Sequence, residues 1–330
     1  MGSRLDKQST AEDVLDGVSL AGRRFLVTGV SSGAGAEIAR TLARHGACVT
    51  GTVRDVHKAA LQLGQVGSSA TFPGGRLELI ELDLASLESV RTAADALVAE
   101  QAAFDGIIAN AGVMATPFQR TEDGFEMQFG TNHLGHFVLI NRIAPLIEDG
   151  GRVVVVSSNG HRGADVDLED PNFDHTDYDR WQAYNRSKTA NSLFAIAFDK
   201  RHRGRRTRAC AVMPGTGMTP IMRHLSPQEI NDVFGLIAAD RSKAGIEALE
   251  LKSPEQLAAT SVWAVAVADP EEIGGKYLED CHVAEVDDVP GIRDGVMSYA
   301  IDPARAEMLW KKSEDLVGEY FDRTRPSVSS

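Results

Sequence analysis

Seven short apolar runs alternate with longer stretches of helical periodicity, and this alternation limits the fold more than any other feature of the chain. The runs are RFLVTG (24–29), CVTGTV (48–53), LELIEL (77–82), GIIAN (106–110), RVVVVSS (152–158), RACAVM (208–213) and a weaker KYLED (276–280). Between them lie segments such as AEIARTLARHG (36–46) and SVRTAADALVAEQ (89–101). Strands apolar along their whole length belong to a parallel sheet covered on both faces. Right-handed crossovers then give an α/β, doubly wound sheet of about seven strands. No repeat or low-complexity linker divides the chain, so residues 22–330 are read as one domain behind an N-terminal extension, 1–21. Two irregular stretches, near 163–181 and 214–250, interrupt the rhythm and are expected to shape a ligand pocket.

The first strand runs into TGVSSGAGAEIA, where Gly29, Gly33 and Gly35 have the spacing G-x-x-x-G-x-G. Glycines let the backbone turn tightly and approach a ligand closely, and the helix that follows offers its N-terminus to a pyrophosphate. Strand, glycine loop and helix together make a Rossmann-type start for a dinucleotide; a glycine-rich turn with no ligand is the plainer reading. The second strand ends at Val53, where an acidic residue would bind the adenosine ribose hydroxyls. Arg54 follows instead and is suited to a 2′-phosphate, or else is a solvated loop charge. NADP(H) is therefore the favoured cofactor, with NAD(H) open.

In AYNRSKTANSLF, Tyr184 and Lys188 stand at i and i+4, one above the other on a helix. The apolar stripe of that helix (Ala190, Leu193, Phe194, Ala197, Phe198) lies on a different face, which leaves the pair free to line a cleft. Alone, Y-x-x-x-K is common surface decoration. Its company is more telling. Ser157 and Ser158 end one strand, and Asn110-Ala111-Gly112 ends another, at the carboxyl ends where such sheets bind ligands. Each also has a structural reading: the serines as turn caps, Asn110 as a clamp between strands. TNHLGHF adds Asn132, with His133 and His136 read as structural because a third metal ligand is missing; no metal site is expected.

These elements, taken in order with RDVHK, LDL (82–84), PGTGMT and KSPEQLAATSV, resemble the classical short-chain dehydrogenase/reductase family from about Gly22 to Gly318. The resemblance is to the branch of retinol dehydrogenases and the WW domain-containing oxidoreductase. It implies that Tyr184 is the general acid in carbonyl reduction and the base in alcohol oxidation. It implies that Lys188 binds the nicotinamide ribose and, together with the oxidised nicotinamide, lowers the tyrosine pKa. Phenols titrate near 10, and a three-unit drop corresponds to about 4 kcal/mol. Ser158 would hydrogen-bond the substrate oxygen, and Asn132 would hold a water of a proton relay. The cofactor would lie on Gly29, Ser31, Ser32, Gly33, Ala34, Gly35 and Arg54. Asp83 and Leu84 would flank its adenine, Asn110, Ala111 and Gly112 would line it, and Pro214, Gly215 and Thr219 would sit beside the nicotinamide, with Tyr184 and Lys188. Ala34 departs from the isoleucine or leucine of many relatives, and Ala36 from the basic residue of some NADP users.

The implied reaction moves a hydride between nicotinamide and an apolar or aromatic secondary alcohol, ketone or aldehyde. Two alternatives are a non-catalytic dinucleotide sensor or scaffold and a sugar-nucleotide epimerase. Against the first stands the complete set Asn132, Ser158, Tyr184 and Lys188; against the second, the compact glycine loop. A net charge of −13 argues against nucleic-acid and anionic membrane partners. No apolar run is long enough to span a bilayer, and the polar start, MGSRLDKQSTAEDVLDG, has no apolar leader. Three scattered cysteines, Cys48, Cys210 and Cys281, fit a reducing compartment. The expectation is a cytoplasmic protein whose partner is a small-molecule alcohol or ketone, with homo-oligomers possible.

Overall fold

Each apolar run becomes a strand. Among the described residues, 5–62 and 69–321 of the computed structural model, nine strands form one sheet. They are β1 Arg24–Thr28, β2 Cys48–Val53, β3 Ser69–Phe72, β4 Gly75–Glu81, β5 Phe104–Ala109, β6 Ile147–Val156, β7 Arg208–Met213, β8 Tyr277–Glu279 and β9 His282–Val283. Their spatial order is β3-β4-β2-β1-β5-β6-β7-β8-β9. From β4 to β8 every neighbour is parallel, which accounts for the seven expected strands. The two additional strands are antiparallel edges. Neither has an apolar run: β3 is half-exposed and β9 has only two residues.

The helices are α1 Ala11–Val14, α2 Gly33–Arg44, α3 Val56–Gln62, α4 Leu87–Glu100, α5 Met127–Phe129, α6 Gly135–Ile143, α7 Arg180–His202, α8 Pro227–Lys243, α9 Pro254–Ala266, α10 Pro270–Ile273 and α11 Pro303–Val317. Side chains alternate across a strand, and this alternation fills two cores. Leu26, Ile107, Val153 and Val155 join α4, α6, α7 and α11 on one face. Phe25, Val27, Ile108, Val154 and Val156 join α1, α2 and α9 on the other. Residues placed by sequence in an N-terminal extension thus contribute to this second core: Ala11, Val14, Leu15 and Leu20 are all buried in it.

Polar starts fix the helices around the cleft. Ser226 and Glu229 form a capping box on α8, and Ser253 and Gln256 form one on α9, each followed by proline at the first helical position. The sheet order reverses between β1 and β5, where β1 has β2 on one side and β5 on the other. A crevice opens beyond the carboxyl ends of the strands at such a switch point. The glycine loop, Arg54, the 110–112 turn, the serine pair and Pro214 all follow strand ends there.

Candidate active site

One cavity occupies this crevice. Every residue expected to contact cofactor or substrate borders it, with the exception of Asn132. Its floor begins at the glycine loop. An ideal Cβ on Gly35 would lie 2.3 Å from the Gly29 carbonyl oxygen and 2.4 Å from Asn110 Nδ2, so only glycine fits. Gly29 has φ +73° and rests against Ala111. Ser32 precedes α2 but makes no side-chain cap, and the first turn of α2 carries no acid. The helix N-terminus therefore presents N–H groups and its positive dipole end to the cavity.

Thr28 ties this loop to the next strand end. Its hydroxyl oxygen accepts N–H from Asn110 and Ala111, both at 2.9 Å. Asn110 Nδ2 donates to the Thr28 carbonyl at 2.9 Å, so its structural reading as a strand clamp holds at the edge of the cavity. With both N–H groups accepted, the Thr28 O–H donates to His136 Nε2, 2.8 Å away. His136 Nδ1 lies 2.9 Å from the Asn132 carbonyl, which can only accept. The ring is thus the neutral Nδ1–H tautomer, and burial, its largest cause, pushes its pKa down to about 4.

Asn132 sits in a π-helical turn, Gly130–Leu134, between α5 and α6. Such turns recur at functional sites because they re-aim a side chain. Its Oδ1 accepts from Val113 N at 2.8 Å; its Nδ2 donates to Val113 O at 3.0 Å and to Ser187 Oγ at 2.9 Å. The side chain therefore clasps the segment after the 110–112 turn to α7, lying behind the cavity wall rather than on it.

The serine pair divides by strand alternation. Ser157 faces inward: its Oγ donates to the Lys188 carbonyl at 2.8 Å and accepts from Ser192 at 2.9 Å. Ser158 faces the cavity, caps the turn Asn159–Gly163 through Gly160 N at 3.0 Å, and hydrogen-bonds Tyr184. Ser158 is thus a turn cap that also borders the cavity. Gly160 packs against the Tyr184 ring, where a Cβ would come within 2.9 Å.

Helix α7 is buried around most of its girth, not only along the expected stripe. Ala190, Leu193, Phe194, Ala197 and Phe198 enter the first core, while Tyr184 and Lys188, 7% and 2% exposed, border the cavity. Lys188 Nζ donates to Val156 O at 3.1 Å and lies 5.7 Å from the Tyr184 ring centroid. Burial lowers the Lys188 pKa to about 8. Burial raises the phenol, and the Ser158 hydrogen bond offsets that only in part. A buried phenolate with no closer positive charge is disfavoured.

The region above the floor is apolar. Met114, Ala115, Leu225 and Tyr184 pack with Trp181, Ile221, Met222 and Ile230. Met218, on the same segment, is 57% exposed and outside the cluster. The stretch 163–179 does not border the cavity. It braces α7 instead, with Asp170 holding its own turn and Thr189 donating to Ala164 O at 2.7 Å. Of the 163–181 segment, only Trp181 reaches the apolar cluster.

His161 is the clearest residue that sequence reading passed over. It is fully buried, with Nδ1 2.7 Å from the Ser158 carbonyl. Its Nε2 accepts from Met297 N at 3.2 Å, and Tyr299 donates to its carbonyl at 2.5 Å. The backbone of Ser158 is thereby braced by the C-terminal part of the chain. Nothing in the local spacing around His161 signals partners so distant in sequence.

The site fits a nicotinamide dinucleotide. It has an uncapped helix start for the pyrophosphate, a glycine cradle that a Cβ would fill, and three cations, Arg54, Lys188 and Arg223, against one acid, Asp83. The family profile described as "short chain dehydrogenase" matches residues 23–230. The chain belongs to the short-chain dehydrogenase family. Among its relatives in that family, a Streptomyces lividans protein named "Probable oxidoreductase" is 38% identical, over 90% of this chain and 98% of its own. Mouse (Mus musculus) retinol dehydrogenase 14 is 35% identical, over 90% of this chain and 86% of its own, which places this dehydrogenase in the expected branch. Among solved structures, an uncharacterized protein from Mycobacterium paratuberculosis superposes with a TM-score of 0.69 at 34% identity, covering 92% of this chain and 96% of its own. The Pseudomonas aeruginosa RhlG/NADP active-site complex superposes with a TM-score of 0.59 at 25% identity, covering 79% and 95%. Like its family, this dehydrogenase is an oxidoreductase that uses a nicotinamide dinucleotide and a small-molecule substrate. Among the described residues, no helix is long and apolar enough to cross a membrane.

Proposed function

We propose that the chain is an NADP(H)-preferring enzyme that interconverts apolar or aromatic secondary alcohols with ketones, or the corresponding aldehydes. The observation that carries this reading is the meeting of Ser158, Tyr184 and Lys188 at one cavity beneath an apolar cluster. The bound cofactor supplies or accepts the hydride. Ser158 hydrogen-bonds the substrate oxygen and holds the Tyr184 hydroxyl beside it. Tyr184 gives that oxygen a proton in reduction and takes one in oxidation. Lys188, whose burial puts its pKa within reach of neutral pH, holds the nicotinamide ribose and steadies the phenolate. Asn132 positions rather than reacts: its side chain is committed to Val113 and Ser187. Met114, Trp181, Ile221 and Met222 exclude water and select an apolar substrate.

Arg54 supports the NADP(H) preference. It borders the cavity just past β2, whereas Asp55, the next residue, does not border it and accepts from Lys58 N at 2.9 Å. The three cysteines are free, consistent with a reducing, cytoplasmic setting. A panel of alcohols and ketones assayed in parallel with NAD(H) and NADP(H) tests the reading. The expected outcome is turnover of apolar substrates, faster at low cofactor concentration with NADP(H). Cofactor binding without turnover of any member would favour the sensor alternative.

A further inference from the structure

Two arginines from distant parts of the chain border the same cavity without a carboxylate between them. Arg54 follows β2; Arg223 closes the 3-10 turn Pro220–Met222 on the segment that leads to α8. That turn is seated on the glycine loop: the Cβ position of Gly33 lies 3.6 Å from Thr219 Cβ and 3.9 Å from Pro220 Cδ. The Arg223 N–H donates to Pro220 O at 3.2 Å and its Nη1 to the same oxygen at 3.3 Å, which fixes the start of the side chain over the cleft. Among the described residues neither Arg54 nor Arg223 forms an ion pair, although the chain has 47 acidic residues to 34 basic ones. The one carboxylate bordering the cavity, Asp83, is committed to Ala85 N at 2.9 Å. The arginines also sense each other. Arg223, though exposed on its outer side, is held below its usual range first by partial desolvation against the cleft and then by the charge of Arg54, and His224 is lowered by partial desolvation and then by both. Like charges kept this close without a counter-ion are unfavourable, and a phosphate dianion with three acceptor oxygens relieves the repulsion.

We propose that Arg223 is a second cation for the cofactor's adenosine 2′-phosphate, and that through it this phosphate fastens the 219–226 segment over the cleft. The proposal rests on the NADP(H) preference argued above. It adds a cofactor-selecting residue on the substrate-covering segment, so that the phosphate which distinguishes the two cofactors also orders the wall against which substrate binds.

The test is a binding titration of the full chain with NADPH, NADH, 2′,5′-ADP and 5′-AMP, by fluorescence or calorimetry, for the unaltered protein, Arg54→Ala and Arg223→Ala. Arg223 is exposed and its one side-chain hydrogen bond is long, so the variant keeps the fold. Charge-assisted contacts to a phosphate predict that Arg223→Ala weakens NADPH and 2′,5′-ADP about tenfold while NADH and 5′-AMP change less than about twofold. Equal weakening of NADPH and NADH would move Arg223 to the pyrophosphate and overturn the proposal, as would no change at all. If the unaltered chain bound NADH as tightly as NADPH, and Arg54→Ala did not discriminate between them, the cofactor preference itself would fall; that result needs no Arg223 variant to be recognised. Hydrogen exchange over 219–226 should slow with 2′,5′-ADP and not with 5′-AMP, and lose that difference in Arg223→Ala. Retention of the difference in the variant would refute the fastening.

Discussion

The floor of the cavity and the segment that covers it are held by different forces. On the floor, Asn110, Thr28, His136 and Asn132 form one chain of hydrogen bonds that ends on Ser187 of α7, and Ser192, Ser157 and Lys188 form another, nearly all of it buried. The cover, residues 214–250, is tied largely by ion pairs whose carboxylates are exposed. Arg180 pairs with Glu229, Arg241 with Asp294 at 3.1 Å, and Lys7 with Glu247 at 2.6 Å. Leu236 on α8 is exposed. Buried polar networks are costly to disturb because every lost partner leaves an unsatisfied group, whereas exposed ion pairs contribute little. Under the proposed function the difference would separate two tasks: the floor would hold the reacting groups still, and the cover would admit, select and release.

The largest effect expected from this division is on the floor. Tyr184→Phe removes the hydroxyl and little else, since the ring remains packed against Gly160 and Met114. Turnover should fall by about a thousandfold or more, the scale of a lost general acid–base group, while NADPH binding is retained. Near-normal turnover in this variant would remove the tyrosine from the mechanism and make the floor a scaffold only.

A smaller effect concerns Lys188. Its pKa in the folded chain is about 8, against an ordinary 10.5. Between those values the unfolded chain binds the proton more readily, so stability without cofactor rises with pH across that window. Below about 8 the folded protein carries a buried cation at full cost. Lys188→Met should therefore stabilise the cofactor-free protein at neutral pH, by roughly 3 kcal/mol at most on the linkage relation, and flatten the rise between pH 8 and 10. The Val156 carbonyl is not orphaned by the change, because Asn191 Nδ2 still donates to it at 2.9 Å. Denaturant unfolding across that range decides. A variant less stable than the parent at pH 7 would mean that Lys188 is a structural bond and not a strained functional cation.

The same contrast governs what could be read from the sequence. The residues of the floor were legible because the chemistry proposed for them demands particular residues at strand ends and at fixed local spacing: the glycine loop, Asn110-Ala111-Gly112, the serine pair, Tyr184 and Lys188, all of which border one cavity. Seven strands were legible because burial on both faces requires continuous apolar runs. The partners that hold the floor were not. Thr28 is one more β-branched residue in a strand, and Ser187 hides inside Y-x-x-x-K. His161 works through Tyr277, Met297 and Tyr299, more than a hundred residues away. Periodicity carries no information about such contacts. The cover was legible only as irregularity, which explains why 163–179 was grouped with it although that stretch braces α7 from the side.

The smallest expected effect is on the cover. Glu229 caps α8 through Ser226 and pairs with Arg180 at the start of α7, so it is an ionic link between the covering helix and the helix that carries Tyr184 and Lys188. Hydrogen bonds from Ser226 first, and then from Arg180, hold its carboxyl down at about 2. The sign follows directly: a depressed carboxylate contributes its stability above the ordinary range near 4.5 and loses it as pH falls toward 2. The link is therefore fully charged and constant from about pH 5 to 9, where enzymes of this chemistry are assayed. An inflection in a pH–rate profile over that range therefore does not come from this link. Glu229→Gln keeps the size of the side chain and removes its charge. It should alter KM by less than about threefold, as expected of a partly exposed pair, and leave the apparent pKa values of kcat where they were. A shift in those values would show the tether acting on the groups that move the proton, and the two regions would then have to be treated as one.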